Sequence, residues 1–112
     1  NPIDLLGDAT EKRFEKTFEV LTKHGDLWDI AFIVDFPNLV LTSEQLARQI
    51  LKFSEKTQNR VIVTMLGGDS LNVGREMLKE HDIPSFDELD FTYRVMGRVL
   101  WQKFRVKAPG LL

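Results

Sequence analysis

The chain has 112 residues, a formal net charge of −2, 43% hydrophobic and 29% charged residues, and no cysteine. That length supplies one hydrophobic core and not two. The balance of charge gives no electrostatic case for nucleic acid or an anionic membrane, and the missing thiols exclude disulfides and thiolate chemistry. Nothing approaches a transmembrane run, and no basic-then-apolar leader precedes Asn1. A start at Asn rather than Met suggests an excised or processed piece.

Residues 1–8, NPIDLLGD, read as a short extended segment ending in a Gly7-Asp8 turn. Asp8 with Glu11 has the spacing of an acidic capping box. Phe14, Phe18 and Leu21 mark one face of a helix to about His24, with Gly25 as its C-cap. Asp29 to Phe36, DIAFIVDF, is an apolar run stopped by Pro37-Asn38. Thr42 and Gln45 repeat the capping-box spacing, and Leu46, Ile50 and Phe53 stripe a helix to about Lys56.

Residues 60–65, RVIVTM, have no polar alternation, which suits a strand buried on both faces. Leu66 leads into Gly67-Gly68 and Asp69-Ser70, after which Val73, Met77 and Leu78 mark a helical face. Glu80-His81-Asp82 ends that element, and residues 83–86, IPSF, make a very short last strand. Ser85 and Glu88 give a third capping-box spacing. A long helix follows with Leu89, Tyr93, Met96 and Leu100 inward, Val99 and Phe104 beside them, and Lys103, Arg105 and Lys107 at its end. Residues 108–112 read as a flexible tail, so the domain spans 1–107.

Helices and strands therefore alternate, with connections too long for hairpins. This pattern predicts an α/β domain in which strands 29–36, 60–65 and 83–86 form a parallel sheet between helices. Three corners, Gly7-Asp8, Pro37-Asn38 and Gly67-Gly68, then fall at one sheet edge, outside the carboxyl ends of the strands, where such folds bind ligands. Gly67-Gly68 reads as a tight turn needing positive φ or as a binding corner, whose free N–H groups and helix dipole favour an anion. The candidate substrate- or phosphate-binding set is Gly67, Gly68, Asp69, Ser70, Gly7 and Asp8.

No catalytic set accompanies these corners. His24 and His81, the two histidines, each fall near a helix C-terminus, where an imidazolium suits the dipole. No Cys/His/carboxylate spacing suggests a transition-metal site. Asp4 and Asp8 flank a turn that could gather a cation, although a capping role for Asp8 needs no ion.

NPIDLLGDAT, AFIVDFP, the T-x-E-Q helix start, VIVTMLGG and HDIPSF, in that order up to about Arg105, resemble the last flavodoxin-like domain of NDP-forming (ADP-forming) acyl-CoA synthetases, relatives of succinyl-CoA synthetase. The resemblance implies a three-layer αβα sandwich with a flavodoxin-like parallel sheet. It also implies a cytoplasmic acid–thiol ligase that makes acyl-CoA from an organic acid, CoA and ATP through an acyl phosphate and a phosphohistidine. The phosphohistidine belongs to a different domain of the family, and neither His24 nor His81 lies in a segment resembling it. This domain alone then binds no cofactor. CoA and ATP or ADP with Mg belong to the full enzyme, an oligomer whose other domains or subunits are the partners, with no nucleic acid and no membrane.

The chain departs from the family in two places. Asn59-Arg60 stands where the family has Lys-Pro, and the upstream strand, Gly-rich loop and helix are absent. In a 2-1-3-4-5 sheet that first βα unit supplies the central strand, between NPIDLL and DIAFIV. A signalling reading stands beside this one. DIAFIVDFPN has the look of a receiver's phospho-accepting strand, with Asp35 as acceptor and Thr64 near the switch hydroxyl. No acidic pair is correctly placed, however, and Ile83-Pro84 lacks the expected lysine. A non-catalytic structural domain is the third reading.

Overall fold

The run after Arg60 forms a central strand because it is apolar but for Thr64, whose hydroxyl is bonded internally to Thr92, and every residue from Val61 to Met65 is buried. The computed structural model describes residues 1–107, and the expected tail at 108–112 lies outside them. Helix α1 (Glu11–Lys23), strand β1 (Ile30–Asp35), helix α2 (Ser43–Lys56), strand β2 (Arg60–Met65), helix α3 (Asn72–Glu80), strand β3 (Ser85–Phe86) and helix α4 (Leu89–Lys107) follow in order, with 3-10 turns at Gly25–Leu27 and Asp69–Leu71.

The sheet is parallel with order β1-β2-β3. Ile30 stands opposite Arg60 and Asp35 opposite Met65, while Val63 and Thr64 face Ser85 and Phe86. The last strand is shorter than expected because Pro84 has no N–H for the ladder. Its carbonyl still accepts from the Val63 N–H at 2.9 Å.

Alternation along the strands sorts the two faces. Ala31, Ile33, Val61, Val63 and Met65 pack under α1, α2 and α3 with Phe18, Leu46, Ile50, Phe53, Leu71 and Leu78. Phe18 and Phe53 stack at 4.5 Å between ring centroids, joining α1 to α2. Each such side chain contributes about 1.5–3 kcal/mol by leaving water. The opposite face belongs to α4, through a Thr64–Thr92 hydrogen bond and an edge-on Phe32–Tyr93 contact. The result is three layers, α/β/α, consistent with a flavodoxin-like sheet lacking a unit.

Local chemistry differs from expectation at several ends. Thr10, not Asp8, caps α1, accepting from the Arg13 N–H, because Asp8 is drawn off to the Arg13 side chain. His24 is the C-cap, and Gly25 opens the following 3-10 turn. Thr42 and Gln45 do close a capping box on α2. Ser85 stays in β3 and forms no box with Glu88; instead the Thr92 hydroxyl donates to the Glu88 carbonyl at 2.7 Å.

Two helical faces also shift. On α3, Val73 is exposed, while Met77 packs half-buried against the core as expected and the buried residues are Gly74 and Leu78. Leu89 and Phe104 on α4 are exposed, Tyr93 meets Phe32 on the sheet while staying 52% exposed, and Met96, Val99 and Leu100 are half-buried. One helix cannot cover a whole sheet face, so Val34 on β1 stays open to solvent. Residues 1–6 form no strand, and β1 pairs only with β2 among the described residues. Asp4 accepts the Leu6 N–H at 2.8 Å, and Leu6, rather than Gly7, takes the positive φ of 68° at that bend.

Candidate functional site: the corner after the central strand

The edge at the carboxyl ends of β1 and β2 is where the chain leaves the sheet into Phe36-Pro37-Asn38 and Leu66-Gly67-Gly68. The Leu66 N–H donates to the Asp35 carbonyl at 2.8 Å, extending the ladder one step past β2 and holding the two loops together. A Cβ on Gly67 would lie 2.6 Å from Cγ of Pro37 and 3.0 Å from Cδ1 of Leu71. Close approach, not a left-handed φ, therefore fixes glycine at this position. Gly68 also has an ordinary φ of −78°, and its missing Cβ would meet nothing within 4 Å. The expectation of a turn needing positive φ is thus corrected: Gly67 is closed by packing and Gly68 is open.

Asp69 and Ser70 lie in the 3-10 turn that leads into α3, and neither caps that helix; Leu71 is the N-cap residue, without a side-chain bond. Ser70 is instead tied through its carbonyl, which accepts from the buried Ser43 hydroxyl at 3.3 Å. Ser43 Oγ in turn accepts from the Gly74 N–H at 3.2 Å. The starts of α2 and α3 touch here, and a Cβ on Gly74 would stand 2.6 Å from the Ser43 carbonyl oxygen.

Gly7-Asp8 does not join this edge through any hydrogen bond or ion pair among the described residues. Asp8 pairs with Arg13 at 2.8 Å, and that guanidinium lowers the carboxyl pKa below its ordinary value. Arg13 also donates to the Leu5 carbonyl, so the N-terminal turn is fastened to α1. Two of the three expected corners converge.

Arg75, which no sequence motif singles out, holds the corner together. Its Nη2 donates to the Met65 carbonyl at 2.9 Å and the Gly67 carbonyl at 2.5 Å; its Nη1 donates to Asn72 Oδ1 at 2.6 Å and the Gly68 carbonyl at 3.4 Å. A cue was present: Arg75 falls within four residues of the start of α3, where the dipole favours acids, and that first turn has none.

Asp35 ends β1 beside this corner, 7% exposed. Burial pushes its carboxyl up to about 6, partly opposed by the Phe36 backbone N–H. Thr64, the proposed switch hydroxyl of the signalling reading, is wholly buried and bonded to Thr92 at 2.6 Å. It faces α4, on the side of the sheet away from Asp35 by strand alternation. The imidazole Nδ1 of His81 lies 2.8 Å from the Met77 carbonyl at the end of α3. Among the described residues no three His, Asp or Glu side chains converge as metal ligands would, and no helix is long and apolar enough to cross a membrane.

No protein-family model matches the chain, and no solved structure matches it. Curated proteins do. The chain is 25% identical over 111 residues to an ADP-forming 4-hydroxybutyrate–CoA ligase of Nitrosopumilus maritimus, covering 98% of this chain and 16% of that protein. It is 26% identical over 110 residues to subunit alpha of an ADP-forming acetate–CoA ligase I of Pyrococcus furiosus, covering 96% and 24%. Identity is also 26% over 87 residues, 77% of this chain and 12% of the relative, with an ADP-forming acetate–CoA ligase I of Archaeoglobus fulgidus. The chain thus spans at most about a quarter of the length of these relatives. Their names do not favour the receiver reading, and they support a relationship to ADP-forming acyl-CoA synthetases.

Proposed function

We propose that this chain is the substrate-side domain of an ADP-forming acyl-CoA synthetase, and that its Gly67-Gly68 corner receives the carboxylate of an organic acid or the acyl phosphate formed from it. The observation that carries the reading is the similarity to such a ligase over 98% of the chain. The corner supports it chemically: Gly68 leaves room for close approach, and backbone N–H donors can hold an anion without competing as nucleophiles. Asp69 and Ser70 line the same exposed turn. With Asp8 engaged by Arg13, the Gly7-Asp8 turn acts through α1 rather than as a second anion site.

In this reading the phosphohistidine, the CoA site and the ATP or ADP site with Mg belong to other domains or subunits, which dock on this one. Among the described residues the outer edge of β1 has no partner strand, and that edge with the exposed Val34 beside it suits a strand and helix supplied from the rest of such an enzyme.

The experiment is an assay of acyl-CoA formation from acid, CoA and ATP by the complete synthetase containing this domain, with Gly68 intact and as Gly68→Val. Acid-dependent turnover that falls with the substitution supports the reading. Full activity in a folded Gly68→Val enzyme removes the corner from the substrate path.

A further inference from the structure

We infer that Arg75 is a positioning residue for this corner: by gathering the carbonyls of Met65, Gly67 and Gly68 behind the loop, it turns the Gly68 and Asp69 N–H groups outward as the donor pair that meets a carboxylate or phosphate. The inference rests on the reading of the corner as an anion site and specifies which atoms make it.

The geometry follows from the planar trans peptide, in which C=O and the next residue's N–H point in opposite directions. The Met65–Leu66 peptide displays this within the structure. Its carbonyl accepts from Arg75 at 2.9 Å, and its N–H, the Leu66 N–H, points the other way to the Asp35 carbonyl at 2.8 Å. The next two carbonyls belong to the peptides whose N–H groups are those of Gly68 and Asp69: Arg75 holds that of Gly67 at 2.5 Å, and that of Gly68 accepts from the Leu71 N–H at 3.2 Å and from Arg75 at 3.4 Å. These N–H groups must likewise face away from the guanidinium, and neither has an acceptor among the described residues. A Cβ on Gly68 would meet nothing within 4 Å, whereas Gly67 is walled by Pro37 and Leu71.

Charge reinforces the orientation. The ion pairs of the described residues are Arg13–Asp8, Arg48–Glu44, Arg94–Asp90 and Lys103–Asp29, so no carboxylate neutralises Arg75. A cation bonded to an amide carbonyl polarises that amide and strengthens its N–H as a donor. The buried Nε of Arg75 has no partner among the described residues, an exception to the rule that buried polar groups are satisfied. The planar fork of arginine holds several carbonyls in one fixed geometry, whereas a lysine ammonium is a point charge on a flexible stem.

The test titrates the ¹⁵N-labelled chain with inorganic phosphate and follows amide resonances in the unaltered protein, Arg75→Lys and Arg75→Met. The Gly68 and Asp69 amides of the unaltered chain should move on saturation. Both variants should bind phosphate about tenfold more weakly or worse, with the Val63 and Leu78 amides unmoved as proof of the fold. Arg75→Lys matching the unaltered affinity would overturn the positioning role while leaving the corner an anion site. An unaltered chain whose corner amides ignore phosphate overturns the anion reading itself, and the role of Arg75 with it. Should both variants unfold, Asn72→Ala decides, because it removes one exposed anchor of the guanidinium: a severalfold weaker phosphate response supports the inference, and an unchanged one contradicts it.

Discussion

Thr64 donates its hydroxyl proton to Oγ1 of Thr92 at 2.6 Å, and both side chains are wholly buried between β2 and α4. The Thr92 hydroxyl in turn donates a hydrogen bond to the Glu88 carbonyl one turn earlier. This relay fixes α4 on the sheet at a position where the strand would otherwise leave a polar group unpaired. Thr92→Val strands the Thr64 hydroxyl and should cost about 1–3 kcal/mol, while a Thr64→Val, Thr92→Val double substitution should cost less than the sum of the two singles. Urea unfolding of the four proteins in that cycle measures the difference, and strict additivity would show that the bond contributes nothing.

The crossing of α2 and α3 depends on the lack of a side chain at Gly74. Gly74→Ala drives a methyl against the Ser43 backbone, 2.6 Å from its carbonyl oxygen, and should destabilise by about 1–3 kcal/mol. Gly97 sits exposed within α4 with nothing within 4 Å of its missing Cβ. Gly97→Ala should therefore stabilise by about 0.5–1 kcal/mol. Thermal or urea unfolding of the two variants should give shifts of opposite sign.

Asp35 links stability to pH. Its carboxyl is raised from 3.8 to about 6 in the folded chain, so between roughly pH 4 and 6 the folded state holds more proton than the unfolded one. Stability from this group is full below about pH 4, falls as pH rises through 6, and is flat above. Asp35→Asn should remove that slope and gain about 1–3 kcal/mol at pH 7, with no gain near pH 3. Denaturation series at several pH values test this; a destabilised variant at pH 7 would mean that the carboxylate has a favourable partner.

The 112-residue chain alone should show no acyl-CoA formation from acetate, CoA and ATP, nor the reverse with ADP, since neither histidine is carried over as the phosphate carrier. Turnover by the purified chain that disappears with His24→Ala or His81→Ala would place the catalytic group here after all.

Strand identity and direction were legible because residues 61–63 and 30–34 are unbroken apolar runs separated by striped helices, and the structure pairs them in parallel as that pattern requires. The Thr42–Gln45 box was equally legible, since both partners are local. The Asp8 box failed because a long-reaching Arg13 competed for the same carboxylate, and Thr10 was nearer the helix. The α4 face was misjudged because one long helix over a three-stranded sheet leaves apolar residues such as Phe91, Trp101 and Phe104 in solvent, which periodicity cannot distinguish from burial. At the corner, adjacent glycines signalled the place but not the reason. Pro37, thirty residues away, closes on Gly67, and Arg75 gathers the carbonyls from the following helix.

The most direct measurement is kcat/KM for the acid in the complete synthetase carrying Gly68→Val. Gly68 has an ordinary φ and open space where the Cβ would go, so the fold should tolerate valine and the melting temperature should stay within a few degrees. A β-branched side chain there stands where an anion must approach, and losing one charge-assisted hydrogen bond, about 1.5–3 kcal/mol, should lower kcat/KM on the order of tenfold to a hundredfold. Asp69→Asn, which removes a negative charge beside the same site, should leave kcat/KM unchanged or raise it. A folded Gly68→Val enzyme with undiminished acid-dependent kcat/KM would contradict the account and reduce the corner to a turn.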